Sequence, residues 1–135
     1  MTDTNSGATQ PAADLKAVTN SYLEAFDARD LERCLSFFLD AASIDFQLGV
    51  FKGREAIENW HRDRFAANLR LTKIEAITVR GATVIIDGVA TSDRLAAWKL
   101  SSIKGRVTLK FTGDKIAEAK FASRMMNIID SIRSS

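Results

Sequence analysis

The single histidine of the chain, His61, lies in the stretch ENWHRDRF, directly after Trp60 and before an arginine–aspartate–arginine cluster. Histidine is the side chain whose ordinary pKa lies closest to neutral pH, so it often serves enzymes as a general acid or base. It can equally be a neutral core residue that is hydrogen-bonded to a backbone carbonyl. Residue type leaves both interpretations open for His61. The neighbouring Asp63 and Arg64 are expected to form ordinary ion pairs on a helix surface.

Asp87 is a second residue that could do chemistry, because it interrupts the apolar stretch VIIDGVAT. A carboxylate held among apolar side chains would have a raised pKa and could act as a base. Strand alternation places Asp87 with Ile85 and Val89 on one face, and Ile86 with Gly88 on the other. The uncharged face is the better candidate for the interior. Asp87 is therefore predicted on the outer face of a sheet, and a register slip of one residue would make it an alternative acid or base.

Length and composition describe one ordinary globular domain, with 135 residues of which 46% are hydrophobic and 27% charged. The formal net charge is +2, and basic residues are spread among acidic ones, which argues against a nucleic-acid partner. Cys34 is the only cysteine and cannot form an internal disulfide. No group of residues has the spacing of metal ligands, so we expect no bound metal. We also expect no other cofactor.

The first residues, 1–13, lack both the basic start and the apolar core of a signal peptide, and we predict a disordered leader there. No apolar run approaches the ~18–20 residues that a membrane span requires. We therefore expect a cytoplasmic protein that does not associate with membranes.

Helices are predicted where apolar side chains recur at three- and four-residue spacing. Asp14 and Asp30 are suited to cap the first two helices. A third helix is predicted over 54–69 and a C-terminal helical extension over 124–135. The apolar positions of these helices are Leu15, Val18, Tyr22 and Phe26; Leu31, Cys34, Leu35 and Phe38; Ile57, His61 and Phe65; and Met125, Ile128, Ile129 and Ile132.

Period-two patterns elsewhere predict a series of strands. The predicted strands span 43–47, 49–52, 71–80, 82–93, 95–100, 104–112 and 115–123. Early helices followed by consecutive strands with short connections favour an α+β domain with a mostly antiparallel sheet, here over residues 14–123. If the sheet curves strongly around the three N-terminal helices, it encloses a cone-shaped cavity.

Three stretches within this order of elements resemble the nuclear transport factor 2-like superfamily, and within it the SnoaL-like and ketosteroid isomerase-like proteins. They are AVTNSYLEAFDARDLERCLSFFLDAASIDF, GVFKGREAIENWHRDRFAANL and FTGDKIAEAKF. The resemblance implies a cone-shaped, cystatin-like fold and a homodimer formed through the outer face of the sheet. It does not imply one activity, because this fold hosts cyclases, isomerases, dehydratases, epoxide hydrolases and non-catalytic binders.

The resemblance also assigns positions in the cavity. Tyr22 falls where ketosteroid isomerases carry the first-helix tyrosine of their oxyanion hole, and His61 falls where they carry a second tyrosine bonded to it. Tyr22 and His61 are therefore expected to meet inside the cavity. The catalytic aspartate of the isomerases is matched by Phe46, and the second acid of the oxyanion hole falls at or near Val107. These departures argue against the steroid isomerase reaction.

The resulting hypothesis is a mainly apolar pocket for a small hydrophobic molecule, which the small residues Gly88 and Ala90 would accommodate. In one version Tyr22 and His61 are the catalytic acid–base residues of an isomerase, cyclase, dehydratase or hydrolase. In the alternatives the protein binds the molecule without turnover, or is only a dimerisation module. The residues expected to line the pocket are Val18, Phe26, Phe38, Phe46, Trp60, Arg64, Gly88, Trp98, Phe111 and Phe121.

Overall fold

The computed structural model of the protein describes residues 14–46, 49–93 and 102–123, and it shows the predicted α+β architecture. The leader over 1–13, the strand predicted at 95–100 with Trp98, and the C-terminal extension over 124–135 lie outside the described residues. In chain order the elements are α1 (Leu15–Asp27), α2 (Leu31–Ser36), β1 (Phe38–Phe46), β2 (Gly49–Lys52), α3 (Arg54–Ala66), β3 (Arg70–Arg80), β4 (Thr83–Thr91), β5 (Ile103–Thr112) and β6 (Lys115–Ser123).

Both predicted helix caps are confirmed. The Asp14 carboxylate accepts a hydrogen bond of 3.1 Å from the backbone N–H of Ala17, and α1 begins at the next residue. The Asp30 carboxylate accepts one of 3.2 Å from the backbone N–H of Arg33 at the start of α2. Each carboxylate satisfies a backbone donor that the first turn of a helix leaves without an intrahelical partner.

The sheet has the strand order β2-β1-β6-β5-β4-β3, and only the β1–β6 pair is parallel among the described strands. Strand β3 carries two irregularities in its pairing with β4, between Leu71 and Lys73 and between Ile74 and Ala76. Such bulges bend a strand and increase its twist. At this bend the carbonyl oxygen of Lys73 approaches Gly88 so closely that an added Cβ would lie 2.7 Å from it. The close approach of the backbone therefore explains why position 88 is occupied by glycine, and this explanation does not depend on any ligand.

Side chains that face each other across β4, β5, β6 and β1 form rows on the concave face of the sheet. One row is fully buried, and it consists of Val84, Leu109, Ala119 and Ile44. In the next row only the first residue is fully covered and the other three are partly exposed. We call it the half-buried row, and it consists of Ile86, Val107, Phe121 and Phe46. On the concave face the first row is thus shielded from solvent, whereas the second row is partly exposed to it.

Two predicted boundaries were wrong. Strand β1 begins at Phe38 rather than at residue 43, because Phe38 pairs with Ile116 of β6 instead of continuing the apolar face of α2. Helix α3 ends at Ala66 rather than at 69, and Asn68 adopts a left-handed conformation with φ of 55°. Apolar spacing had suggested helix in both places, but strand pairing and a turn override it.

The lone Cys34 lies on the buried side of α2, as predicted for a small core residue. Burial raises the pKa of its thiol to about 12, with the nearby Asp30 carboxylate adding to the shift. A thiol in this state is unreactive at neutral pH.

None of the helices in the described part of the chain is long and apolar enough to cross a membrane. The same residues contain no group of three or more His, Cys, Asp and Glu side chains that could hold a metal ion.

Candidate functional site

The structure brings Tyr22 of α1 and His61 of α3 into contact inside the domain. The phenol oxygen of Tyr22 lies 2.8 Å from Nε2 of His61, and Nδ1 of His61 lies 2.8 Å from the carbonyl oxygen of Ile57, one turn earlier in α3. Both side chains are removed from solvent, with exposed fractions of 5% for Tyr22 and 0% for His61. A hydrogen-bonded chain therefore runs from Tyr22 through the imidazole to the backbone of α3.

The direction of this chain follows from the chemistry of its last member. A backbone carbonyl can only accept, so Nδ1 of His61 carries a proton and donates it to Ile57. Burial lowers the pKa of His61 from 6.5 to about 4, against a smaller opposing effect of the bond to Ile57. The imidazole is therefore neutral at physiological pH, its Nε2 is a bare acceptor, and Tyr22 must donate to it.

Aromatic rings enclose the Tyr22–His61 pair. Ring centroids lie between 4.9 and 6.2 Å from one or both of the pair's rings, in edge-on or tilted arrangements. These rings form the aromatic shell, which consists of Phe26, Phe37, Phe38, Trp60 and Phe65. Burial raises the pKa of Tyr22 well above 10, with the Cys34 thiol adding to the shift, so the phenol too is neutral. The pair is thus a neutral polar group within an apolar enclosure.

A second aromatic group lies at the more open part of the concave face. Phe46, Trp60 and Phe121 contact one another with centroid separations of 5.1 to 5.5 Å, and we call them the aromatic triangle. The guanidinium carbon of Arg64 lies 4.7 Å from the centroid of Phe46 and 6.0 Å from that of Trp60. Because Trp60 also packs on His61, it joins the triangle to the aromatic shell. Its indole Nε1 is buried and has no hydrogen-bond partner among the described residues.

Arg64 was expected both in a surface ion pair with Asp63 and among the pocket-lining residues, and its burial shows that the surface position was wrong. Arg64 is buried, with 9% of its surface exposed, and it belongs to the buried face of α3 together with Ile57, Trp60 and His61. These residues follow the spacing i, i+3, i+4 and i+7, which marks one side of a helix. The exposed arginine of this segment is Arg62, which forms the surface ion pair with Glu58.

The other predicted residues separate into core and outer-face positions. Val18 packs against the core, and Phe111 is buried within it. Asp87 lies on the outer face of the sheet, as predicted, and accepts a hydrogen bond of 2.7 Å from Nε of Arg106. Asp87 is therefore not among the groups that line the concave face.

A small surface groove lies between α1 and β3, and it has a volume of about 90 Å³. Its walls are Leu23, Phe26, Asp27, Leu71 and Ile74, and Asp27 is paired with Arg70. Small-molecule sites are typically of roughly 300–1,000 Å³, so this groove is too small to be the ligand site.

Solved structures similar to this fold include proteins named as enzymes. The epoxide hydrolase/cyclase-like enzyme SalBIII, which has a role in pyran ring formation in the polyether salinomycin, matches with a TM-score of 0.72 and 17% identity over 83% of this chain and 92% of that chain. A proposed ketosteroid isomerase from Kribbella flavida matches with a TM-score of 0.71 and 12% identity over 86% and 82%. A proposed polyketide cyclase from Sinorhizobium meliloti matches with a TM-score of 0.69 and 18% identity over 78% and 93%. At these identities the likeness shows the fold alone.

A comparison with curated protein sequences found no match. The model of the SnoaL-like domain matches residues 19–119, a span that includes most of α1, the whole of α3 and most of the sheet. The chain therefore belongs to the family of SnoaL-like domain proteins.

Proposed function

We propose that this SnoaL-like protein binds a small hydrophobic molecule on the concave face of its sheet, against the half-buried row and the aromatic triangle. The observation that supports this proposal is the incomplete burial of Phe46, Val107 and Phe121, which face inward beside a row that is fully covered. Removing apolar surface from water contributes roughly 25 cal/mol per Å² to binding, so an apolar ligand would gain affinity from contact with these side chains. Apolar walls with a few polar groups are typical of small-molecule sites.

The test is a search for the molecule followed by a variant that fills its place. Native mass spectrometry of freshly purified protein should reveal a retained compound, and a panel of polyketide-, terpene- and lipid-like compounds should include some that raise the melting temperature by mass action. Val107→Phe, which adds volume to the half-buried row, should abolish this stabilisation. Thr112→Phe adds the same ring at the exposed end of the same strand and should leave it unchanged. A panel without a stabilising compound, or full stabilisation of Val107→Phe, would contradict the proposal.

Acid–base catalysis by Tyr22 and His61 is the second candidate function, and the bond of 2.8 Å between them supports it. The phenol oxygen could accept a proton from a substrate while its own proton moves to Nε2 of His61. At rest this transfer is unfavourable, because burial raises the pKa of Tyr22 and lowers the pKa of His61, so the proton is held on the phenol. Catalysis through this pair would therefore need charge stabilisation from other groups on the substrate oxygen.

Turnover of the retained compound separates the two candidates. If the pair is catalytic, Tyr22→Phe should lower kcat by at least about a hundredfold while the Kd for the compound stays within roughly twofold. Both kcat and Kd should be measured well below the melting temperature of the variant, because removal of a buried hydrogen bond also destabilises the fold. Unchanged turnover in Tyr22→Phe would exclude the catalytic role, and binding with no turnover in the wild-type protein would leave the binding function alone.

We also propose that two copies associate through the outer face of the sheet. This face carries Ile85 and Val89, both partly buried, beside the ion pair of Asp87 with Arg106. Apolar side chains interspersed with paired charges are compatible with a face-to-face homodimer. Sedimentation at micromolar concentration should give the dimer mass, and Val89→Glu should shift the protein to monomer. A wild-type monomer under these conditions would contradict the dimer, and a dimer that binds no compound would favour the dimerisation module.

A further inference from the structure

We infer that a second copy of the chain extends the sheet at strand β3, with the two β3 strands antiparallel and a two-fold axis at Ile74. This contact joins two sheet edges side by side, so it differs from the proposed association through the outer face. It depends on neither the ligand nor the Tyr22–His61 pair. The observations that support it are the open edge of β3, the positions of its apolar residues and the order of its charges.

Strand β3 forms an open edge of the sheet. The strand order places β4 on one side of β3 and no described strand on the other. This edge runs over 11 residues, of which only Leu71 and Ile77 are shielded in part, whereas the opposite edge strand β2 has 4 residues. The backbone N–H and C=O groups along such an edge can pair with a further strand. The longer edge is therefore the better template for a second copy.

The two bulges of β3 give this edge an apolar strip. In a regular strand, residues three positions apart point to opposite faces. The extra residue in each bulge changes this, because the residues of the strip pair with alternate positions of β4 and so share the concave side. The strip consists of Leu71, Ile74 and Ile77. Bulges protect an edge against unspecific pairing, and here they also favour a partner strand with the same three-residue spacing.

Ile74 is the exposed centre of this strip. Its side chain lines the small groove between α1 and β3, and 40% of its surface is exposed. Antiparallel strands place residues at equal distances from the axis opposite each other. With the axis at Ile74, the two Ile74 side chains meet, and Leu71 of each copy lies opposite Ile77 of the other. Removal of these side chains from water stabilises the contact.

The charges of β3 select the same axis. Lys73 and Glu75 flank Ile74, so this register places each lysine opposite a glutamate of the other copy. Moving the axis by one residue places either the two Lys73 or the two Glu75 side chains opposite each other. Opposite charges across neighbouring strands stabilise a sheet, and like charges destabilise it. The register centred on Ile74 therefore satisfies the apolar strip and the charges together.

Lys73 and Glu75 both lie on the outer side of the sheet, where they can meet. Lys73 pairs with Val89 of β4, whose neighbour on β5 is Lys104. The Glu75 carboxylate lies 3.7 Å from Nζ of Lys104, so it reaches the same side. A carboxylate accepts from several donors, so Glu75 can bind Lys73 of the second copy as well.

A cysteine on the axis tests the contact. Opposite residues of an antiparallel pair have Cα atoms about 4.5–5.5 Å apart, which suits a disulfide. Ile74→Cys should therefore form a covalent dimer under mild oxidation in dilute solution, measured by non-reducing electrophoresis. Cys34 is buried and does not compete. The matched control is Val79→Cys, at a position that is 43% exposed on the same strand but far from its counterpart in this register, and it should cross-link at least roughly tenfold more slowly.

Exchange of the two charges tests the register. Lys73→Glu in the Ile74→Cys protein turns both attractive pairs into repulsive ones and should slow cross-linking at least roughly tenfold. Adding Glu75→Lys restores opposite charges across the axis, and the rate should return to within about threefold of the starting protein. Both substitutions lie at exposed positions, so circular dichroism should show a native fold. Recovery with the second substitution distinguishes a charge pair from a local effect of the first.

An outer-face variant separates this contact from the other association. Ile85→Glu places a charge on the outer face of β4 and should leave the cross-linking rate of Ile74→Cys unchanged. Loss of cross-linking in Ile85→Glu would make the edge contact a by-product of the outer-face dimer and overturn the inference. Equal rates for Ile74→Cys and Val79→Cys, or no recovery after the charge exchange, would overturn it as well. None of these results bears on the proposed ligand site, which is tested separately.

Discussion

The carbonyl oxygen of Ile57 determines which nitrogen of His61 carries the proton. The two groups lie 2.8 Å apart within α3, and the carbonyl has no hydrogen to give. A single backbone acceptor, one turn away on the same helix, thereby sets the direction of the hydrogen bond to Tyr22 on another helix. The direction of the hydrogen bond between Tyr22 and His61 is therefore set by α3, and it can be measured directly.

The first prediction concerns the tautomer of His61. At pH 7 its imidazole should be neutral, with the proton on Nδ1 and none on Nε2, because Ile57 accepts from Nδ1 and Tyr22 donates to Nε2. Long-range proton–nitrogen NMR correlations on protein with labelled histidine distinguish the two nitrogens. The chain contains one histidine, so the spectrum needs no assignment. An Nε2-protonated ring would reverse the direction of the bond to Tyr22 and contradict the prediction.

The second prediction concerns stability against pH. The pKa of His61 is about 4 in the folded protein and near 6.5 when unfolded, so the unfolded state binds more protons between these values. The stability associated with the neutral ring is complete above pH 6.5 and is lost as the pH falls toward 4. Between pH 7 and pH 5 the free energy of unfolding should decrease by roughly 2 kcal/mol, before most carboxylates titrate.

Urea unfolding at a series of pH values measures this decrease. His61→Gln is the control, since it removes the titrating ring and should flatten the curve between pH 7 and pH 5. An equal decrease in the variant would assign the pH dependence to other groups.

The third prediction concerns the bend of the sheet at Gly88. An added Cβ would lie 2.7 Å from the backbone oxygen of Lys73, which cannot move without disturbing the bulged β3 strand. Gly88→Ala should therefore destabilise the protein by about 1–3 kcal/mol. Gly105→Ala is the matched control on the neighbouring strand, where the nearest oxygen, that of Ala122, is 3.2 Å away and the cost should be smaller. Equal urea midpoints for the two variants would show that the close approach at Gly88 is relaxed at little cost.

The fourth prediction concerns Arg29, which connects the end of α1 to the end of α3. Its guanidinium donates to the carbonyl oxygen of Leu69 at 2.8 Å and to the Asn68 side chain at 3.0 Å, and it lies 5.3 Å from the ring centroid of Phe65. Lysine keeps the charge but cannot make these contacts together, so Arg29→Lys should cost about 1–2 kcal/mol.

Arg62→Lys is the control for Arg29→Lys, because Arg62 forms an exposed pair with Glu58 away from this junction and its replacement should change stability by less than about 0.5 kcal/mol. Thermal unfolding of both variants gives the comparison. A cost at Arg62 as large as that at Arg29 would mean that the contacts of Arg29 at the junction add nothing beyond an ordinary exposed arginine pair.

The sequence was informative wherever a local rule and the fold agree. Asp14 and Asp30 cap their helices as their residue types suggested, and Asp87 points outward as strand alternation required. Pairing between strands that are far apart in the sequence could not be predicted from local patterns. Phe38 fits an apolar helical face, but Ile116 of β6, far along the chain, pairs with it and makes it a strand residue.

Arg64 shows the same limit at the candidate site. From the sequence it could be a partner in a surface ion pair or a residue that lines the interior, and its place on α3 puts it beside Phe46, a residue from a different element. A guanidinium can be covered when aromatic rings surround it, and that environment is assembled only by the fold. The contact of Tyr22 with His61 was foreseeable through family likeness, but the direction of its proton was not, because it depends on the backbone of α3.

The buried thiol of Cys34 makes the protein well suited to spectroscopic labelling. With a pKa of about 12 and no exposed surface, the only natural cysteine should not react with maleimide reagents. A fluorophore or spin probe could then be attached selectively at a cysteine introduced at Val50, which is 66% exposed at the edge of the sheet, without first removing the native residue.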